Sequence, residues 1–251
     1  MVSLYFALIG LLVGLVLDAL IVRLAVAPDD EDDDGLDEVP PSIYSGFDTV
    51  SPVRSRASVR AEVGALVVTA TPAQEWARRL VIVGATAALF AAVAARYDDA
   101  SHLAVVSAYV CVLLVCAGTD VLSYRVPNVV TYPAMIGALV VGVAMPGANI
   151  WEVLAGGALA GGVLLLPAII TSGVGMGMGD VKLVAFSGLA LGFTKLAPAL
   201  VFMALGGGAV ALLLLVSRLR KRGEPIPYAP FISIGVLATL IWQGAAFVRL
   251  T

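Results

Sequence analysis

Residues 103–128 read LAVVSAYVCVLLVCAGTDVLSYRVPN, an apolar run long enough to cross a bilayer, broken near its end by Asp120 and closed by Arg125, Pro127 and Asn128. A transmembrane helix needs roughly 20 mostly apolar residues. An acid inside one costs roughly 2.5–3.5 kcal/mol on insertion scales, so such acids face a protein interior or a water-filled cavity. Pro127 disfavours helical backbone at the residue before it, so the helix is expected to end near Val126. Asp120 then lies a turn or so inside the membrane boundary.

The same criterion, carried outward, predicts further spans at Leu4–Val26, Leu80–Ala95, Val129–Met145, Trp151–Thr171, Val181–Phe193, Leu196–Val216 and Pro230–Val248. With Leu103–Leu122 these make eight, and the expected class is an all-α polytopic membrane protein. Composition agrees: 60% of the 251 residues are hydrophobic and 13% charged, against roughly 25% charged in soluble domains. Mean hydropathy is +1.00. The first apolar segment is too long for a signal peptide and lacks a basic n-region, so it reads as a retained span. The expected organisation is a first helix over residues 1–27, an acidic cytosolic loop over 28–78, and a membrane-embedded domain over 79–251. The loop opens with the run Asp29–Asp34, which repels itself and is expected to be partly disordered.

Lysines and arginines near span ends set the orientation. With both termini outside, the cytosolic side collects Arg23, Arg54, Arg56, Arg60, Arg78, Arg79, Arg125, Arg218, Arg220, Lys221 and Arg222, leaving outside only Arg96, Lys195 and Arg249. That is eleven against three, with Lys182 set aside. Charge therefore reports topology and excludes a nucleic-acid-binding role. Asp120 and Asp180 both fall toward the cytosolic side. Cys111 and Cys116 share one span at a spacing that puts them on different faces, which argues against a disulfide or a metal site.

Asp180 closes the run Gly175-Met176-Gly177-Met178-Gly179-Asp180 and is followed by Val181-Lys182-Leu183. Alternate glycines let a backbone leave the helix and approach another chain closely. Phosphate cradling is excluded because no Lys-Ser/Thr follows. A third intramembrane acid, Asp18, has Arg23 or another base as its expected ion-pair partner. Lys182, two residues past Asp180, points away from that carboxylate on a helix. It is left to contact substrate or Asp18, or to snorkel. Gly156, Gly157, Gly161 and Gly162, and Gly206 to Gly208, predict close helix–helix contacts. His102 is expected to be solvated in an outer loop, and Trp76, Trp151 and Trp242 to form interface belts.

An Asp followed by Arg125-Val126-Pro127-Asn128, then Gly177-Met178-Gly179-Asp180-Val181-Lys182-Leu183, resembles the pattern of the prepilin peptidases, the type IV leader peptidases. Gly14 to Leu24 is similar to that family's opening Gly-x-x-x-Asn-x-x-x-x-Arg-Leu, with Asp18 standing for Asn. Pro227-Tyr228-Ala229-Pro230-Phe231 resembles its entry to the last helix. The resemblance implies a GxGD-type aspartic endopeptidase of the bacterial inner membrane, with its site toward the cytosol. Asp120 and Asp180 would be catalytic, with Gly177, Gly179, Lys182, Arg125, Pro127 and Asn128 as motif or substrate-binding residues. Its partners would be prepilins or pseudopilins and the lipid bilayer, and no cofactor or metal is implied. The family's two Cys-x-x-Cys pairs, which bind zinc and accompany N-methylation, are missing here, so methyl transfer is in doubt. The competing reading is an ion- or proton-coupled transporter using intramembrane acids. Against it stands the lack of a convincing internal repeat.

Overall fold

The computed structural model describes residues 2–27, 71–170, 177–216 and 227–248. The acidic loop up to residue 70, Gly175, and the basic run 218–222 lie outside those residues. Eight helices occupy the described part: α1 Val2–Val26, α2 Pro72–Arg96, α3 Ala100–Ser123, α4 Asn128–Ala144, α5 Ile150–Ile170, α6 Met178–Leu191, α7 Phe193–Val216 and α8 Ala229–Trp242. Four of them, α1, α2, α3 and α5, are long and apolar enough to cross a membrane, and shorter apolar helices accompany them. Large apolar side chains line the outside, Leu12, Val81, Ile136, Val143, Leu166 and Leu205 among them. Such an exterior suits lipid, in which backbone groups must be satisfied within the segment. The molecule is thus all-helical with the character of a polytopic membrane protein.

α1 lies along α2, α5 along α6 and α7 along α8, while α3 joins the first pair to α8. The end of α1 and the starts of α2, α4, α6 and α8 lie at the end of the bundle where α3 stops, as the Arg78–Asp18, Lys182–Asn128 and Ala229–Asp120 contacts require. The centre belongs to α6. Nearly every residue from Val181 to Leu191 is buried, against α4, α5, α7 and α8. At about 1.5 Å per residue its 14 residues are shorter than a hydrocarbon core of about 30 Å. Protein rather than lipid surrounds most of it, so it need not span.

Three boundaries differ from expectation for identifiable reasons. α2 starts at Pro72 rather than Leu80, because Thr71 and Gln74 form a reciprocal capping box with proline in the first turn. α6 is stopped at Gly192, whose φ of +75° only glycine adopts readily. α8 ends at Trp242 instead of continuing to Val248. Its last carbonyls are taken by other elements: Tyr97 Oη donates to Leu240 O at 2.6 Å, and Arg96 Nε donates to Ile241 O at 3.2 Å. Beyond it, Lys195 Nζ donates to Ala245 O at 2.6 Å. Of these two bases, expected only as outer charges, Arg96 therefore caps this terminus and Lys195 holds the segment just beyond it.

The glycine expectation holds in part. A Cβ built on Gly156 or on Gly188 would come well under 3.0 Å from the opposing backbone, and one on Gly157 would strike Leu189. α5 and α6 thus meet backbone to backbone. Gly162 and Gly208, by contrast, face open space. Asp18 is buried but does not pair with Arg23, which is exposed. Five residues along a helix is about 140° around its axis, too far for that pair. Its partners come from α2: Arg78 Nε at 2.8 Å and Arg79 Nε at 3.2 Å. His102 is half-buried, its ring 5.0 Å from that of Phe247, so the solvated reading is corrected. The three tryptophans are exposed near helix ends, Trp76 at one end of the bundle and Trp151 and Trp242 at the other, as interface residues would be.

Gly188→Leu is expected to destabilise the detergent-solubilised protein by about 1–3 kcal/mol or more through overpacking. Gly162→Leu should change it by no more than about 0.5 kcal/mol. Similar losses in thermal unfolding for both would contradict the α5–α6 contact. Asp18→Ala strands two guanidinium groups, although water repays much of the share of the half-exposed Arg79. A loss of about 1–3 kcal/mol is expected, and Asp18→Asn, which keeps an acceptor oxygen, should lose less. The reverse order in the same assay would refute the ion-pair account.

Candidate active site

Asp120 occupies the last turn of α3 and is buried, at 5% exposure. The helix stops just beyond it because Tyr124 takes a left-handed conformation, φ 55° and ψ 39°, its N–H donating to Asp120 O. α3 thus ends at Ser123, a few residues before the stop expected from Pro127. Pro127 instead serves as the N-cap residue of α4, its carbonyl accepting from Thr131 Oγ1 at 2.9 Å. Arg125, Pro127 and Asn128 are all half-buried in this turn. Arg125 is therefore no simple exposed topology anchor.

Asp180 sits half-buried in the first turn of α6, its N–H donating to Gly177 O at 3.1 Å. Two contacts hold that turn against the α3–α4 turn. A Cβ on Gly179 would lie 3.0 Å from Val126 Cβ, so the absence of a side chain lets the two motifs touch. Lys182 Nζ donates to Asn128 Oδ1 at 3.0 Å and stands 4.9 Å from the centre of the Tyr132 ring. Its place is between α6 and α4. Gly177 is different: it is exposed, its φ of −72° suits any residue, and an added Cβ meets only ordinary contacts. Among the described residues, then, the approach is tight at 179 and open at 177.

Registered in this way, the carboxyls of Asp120 and Asp180 come within electrostatic reach of one another. One Asp120 oxygen is held: the Ala229 N–H at the start of α8 donates to Oδ2 at 2.9 Å. The Tyr228–Ala229 turn was legible in the sequence only as part of a resemblance, without a role. A signal was present nonetheless. The start of α8 offers no Ser, Thr, Asp or Asn as N-cap, and its orphan N–H groups must find an acceptor elsewhere. Asp18 belongs to the α1–α2 contact instead. Among the described residues no three His, Cys, Asp or Glu side chains cluster as metal ligands would.

A site of this kind, two nearby acids of which one accepts a backbone N–H, suits proton transfer in both directions. Residues 107–215, which contain both acids, match the type IV leader peptidase family. The chain is 34% identical over 164 residues to the prepilin leader peptidase/N-methyltransferase of Bacillus subtilis, covering 62% of this chain and 63% of that protein. It is 30% identical over 141 residues to the enzyme of that name from Burkholderia pseudomallei, covering 52% and 43%. With that of Aeromonas hydrophila it shares 28% over 136 residues, covering 52% and 47%. The chain therefore spans less than two thirds of the length of these relatives, and no solved structure matches it. Both acids thus lie inside the stretch, residues 107–215, that is similar to the type IV leader peptidase family.

Proposed function

We propose that this chain is a membrane aspartic endopeptidase that removes the short leader from type IV prepilins or pseudopilins at the cytosolic membrane face, with Asp120 and Asp180 as its catalytic pair. The observation that carries this reading is the placement of two acids, in the last turn of α3 and the first turn of α6, at one end of the bundle where those two turns touch. The names of the relatives support the substrate class. The charge bias of the sequence supports the cytosolic face.

Two carboxyls close together in a poorly solvated cleft do not both ionise, and they hold one proton between them. The ionised member takes a proton from water as the water oxygen bonds to the scissile carbonyl carbon. The protonated member donates to the carbonyl oxygen, giving a neutral tetrahedral diol. When the carbon–nitrogen bond breaks, the leaving amine takes a proton from the acid formed in the first step. The diol hydroxyl returns its own proton to the other carboxylate, and the pair ends with the single proton it began with. The leader of such a substrate stays in the cytosol and its hydrophobic helix in the bilayer, so a site at the membrane boundary fits the cut between them. Methyl transfer is left out of the proposal, because the cysteine pairs that accompany it in the family are missing from this sequence.

Asp120→Asn and Asp180→Asn are each expected to lower prepilin cleavage by about 10³-fold or more, since either change removes a proton carrier from a pair that acts as a unit. Membrane yield should stay near wild type, and Asp18→Asn should keep much of the activity. The assay is the mobility shift of a co-expressed prepilin on leader removal. Near wild-type processing by either dyad variant would refute the two-aspartate mechanism. Orientation is checked separately by single cysteines: one at Ser42, outside the described residues, should label only from the cytosol, and one at Gly147 only from outside. The opposite pattern would move the site to the other face.

A further inference from the structure

The first turn of α8 has no side-chain cap of its own. Tyr228 is its N-cap residue, and no hydrogen bond from that side chain serves the helix. The Ala229 N–H goes instead to Asp120, 109 residues away in sequence. An acid of the site is thus also the cap of another helix, and its orientation depends on where α8 begins.

What sets that position is a notch in α7. A Cβ built on Gly207 would lie 2.8 Å from Cε2, 2.9 Å from Oη and 3.0 Å from Cζ of Tyr228. The Tyr228 ring therefore fills the space a side chain would take. Phe231, one turn along α8, packs edge-on against the same ring, with centroids 6.1 Å apart. The neighbouring glycines lack this constraint: the nearest atom to a Cβ on Gly206 is 3.8 Å away, and Gly208 meets nothing within 4 Å. Among the described residues, of three consecutive glycines only Gly207 sits where a methyl group would displace the tyrosine.

We propose that Gly207 and Tyr228 form a seat that positions Asp120: the ring, held in the α7 notch, places the first turn of α8 so that the Ala229 N–H holds the Asp120 carboxyl toward Asp180. Both are positioning residues, and neither reacts. The inference rests on the peptidase reading for its catalytic consequence, but the seat itself is a structural claim. A shift of about 1 Å in a reacting group can cost about 100-fold in rate, so a methyl group at 207 acts on turnover rather than on substrate affinity.

The test uses the full chain in detergent, with two measurements on each variant. The first is kcat and KM for cleavage of a prepilin peptide. The second is hydrogen–deuterium exchange over residues 227–233. Gly207→Ala is expected to lower kcat roughly 10–100-fold with KM within about twofold of wild type, and to speed exchange at the start of α8. Asp120→Ala should speed the same exchange. Tyr228→Ala should match Gly207→Ala, and the double variant should be no worse than either alone, because both break one seat. Tyr228→Phe keeps the ring and should keep most of the turnover, and Gly208→Ala should behave as wild type. Should Gly207→Ala fail to fold, Tyr228→Ala, which opens space rather than filling it, carries the test alone. Unchanged kcat and exchange in the seat variants would overturn the proposal, as would additive losses in the double variant. If wild-type protein cleaves no prepilin while exchange responds as described, the seat stands and the peptidase reading falls.

Discussion

A polar group inside a bilayer has no water to turn to, so it must be answered by another part of the protein. Much of what is irregular in this structure follows from that constraint. Asp18 is buried in the α1–α2 contact because two arginines of α2 meet it there. The last carbonyls of α8 are met by Arg96 and Tyr97 from the α2–α3 connection. Its first N–H is met by Asp120. Each of these bonds answers an otherwise orphaned group and ties together helices that the chain does not join directly.

The candidate site grows out of the same logic. α6 is too short to span, and it is buried because α5 meets it glycine to glycine at 156 and 188. Its first turn is therefore placed at one end of the bundle, where Gly179 lies on Val126 and Lys182 reaches Asn128. These contacts decide how the α3 turn and the α6 turn face each other, and thereby how Asp120 faces Asp180. Both acids sit in helical turns rather than in loops, and the Asp120 carboxyl is held by the Ala229 N–H.

Small residues serve two purposes here, separable only by what lies opposite them. At 156, 157 and 188 they admit a neighbouring helix; at 179 they admit a turn; at 207 they admit an aromatic ring; at 162 and 208 nothing is admitted at all. Spacing within a helix could not distinguish these cases, because the partner surface is not part of the local pattern. The same holds for charge. Arg96 and Lys195 count as outer charges in a topology argument, yet in the folded molecule Arg96 donates to the end of α8 and Lys195 to the segment just beyond it.

The sequence by itself determined the helical class and the approximate placement of the eight described helices, and it singled out two acids by their motifs, Asp120 beside Arg125-Val126-Pro127-Asn128 and Asp180 after Gly177-Met178-Gly179. These are local properties: hydropathy over roughly 20 residues, a proline that bars helix before it, and a charge that lipid penalises. Only the tertiary structure decided which base meets Asp18, where α8 stops, that the glycine at 179 lies tight against Val126, and that Ala229 caps its helix with Asp120. Those are pairings between residues far apart in the chain. A helix end or a buried charge announces in the sequence that it needs a partner, but which partner it finds depends on how the helices pack.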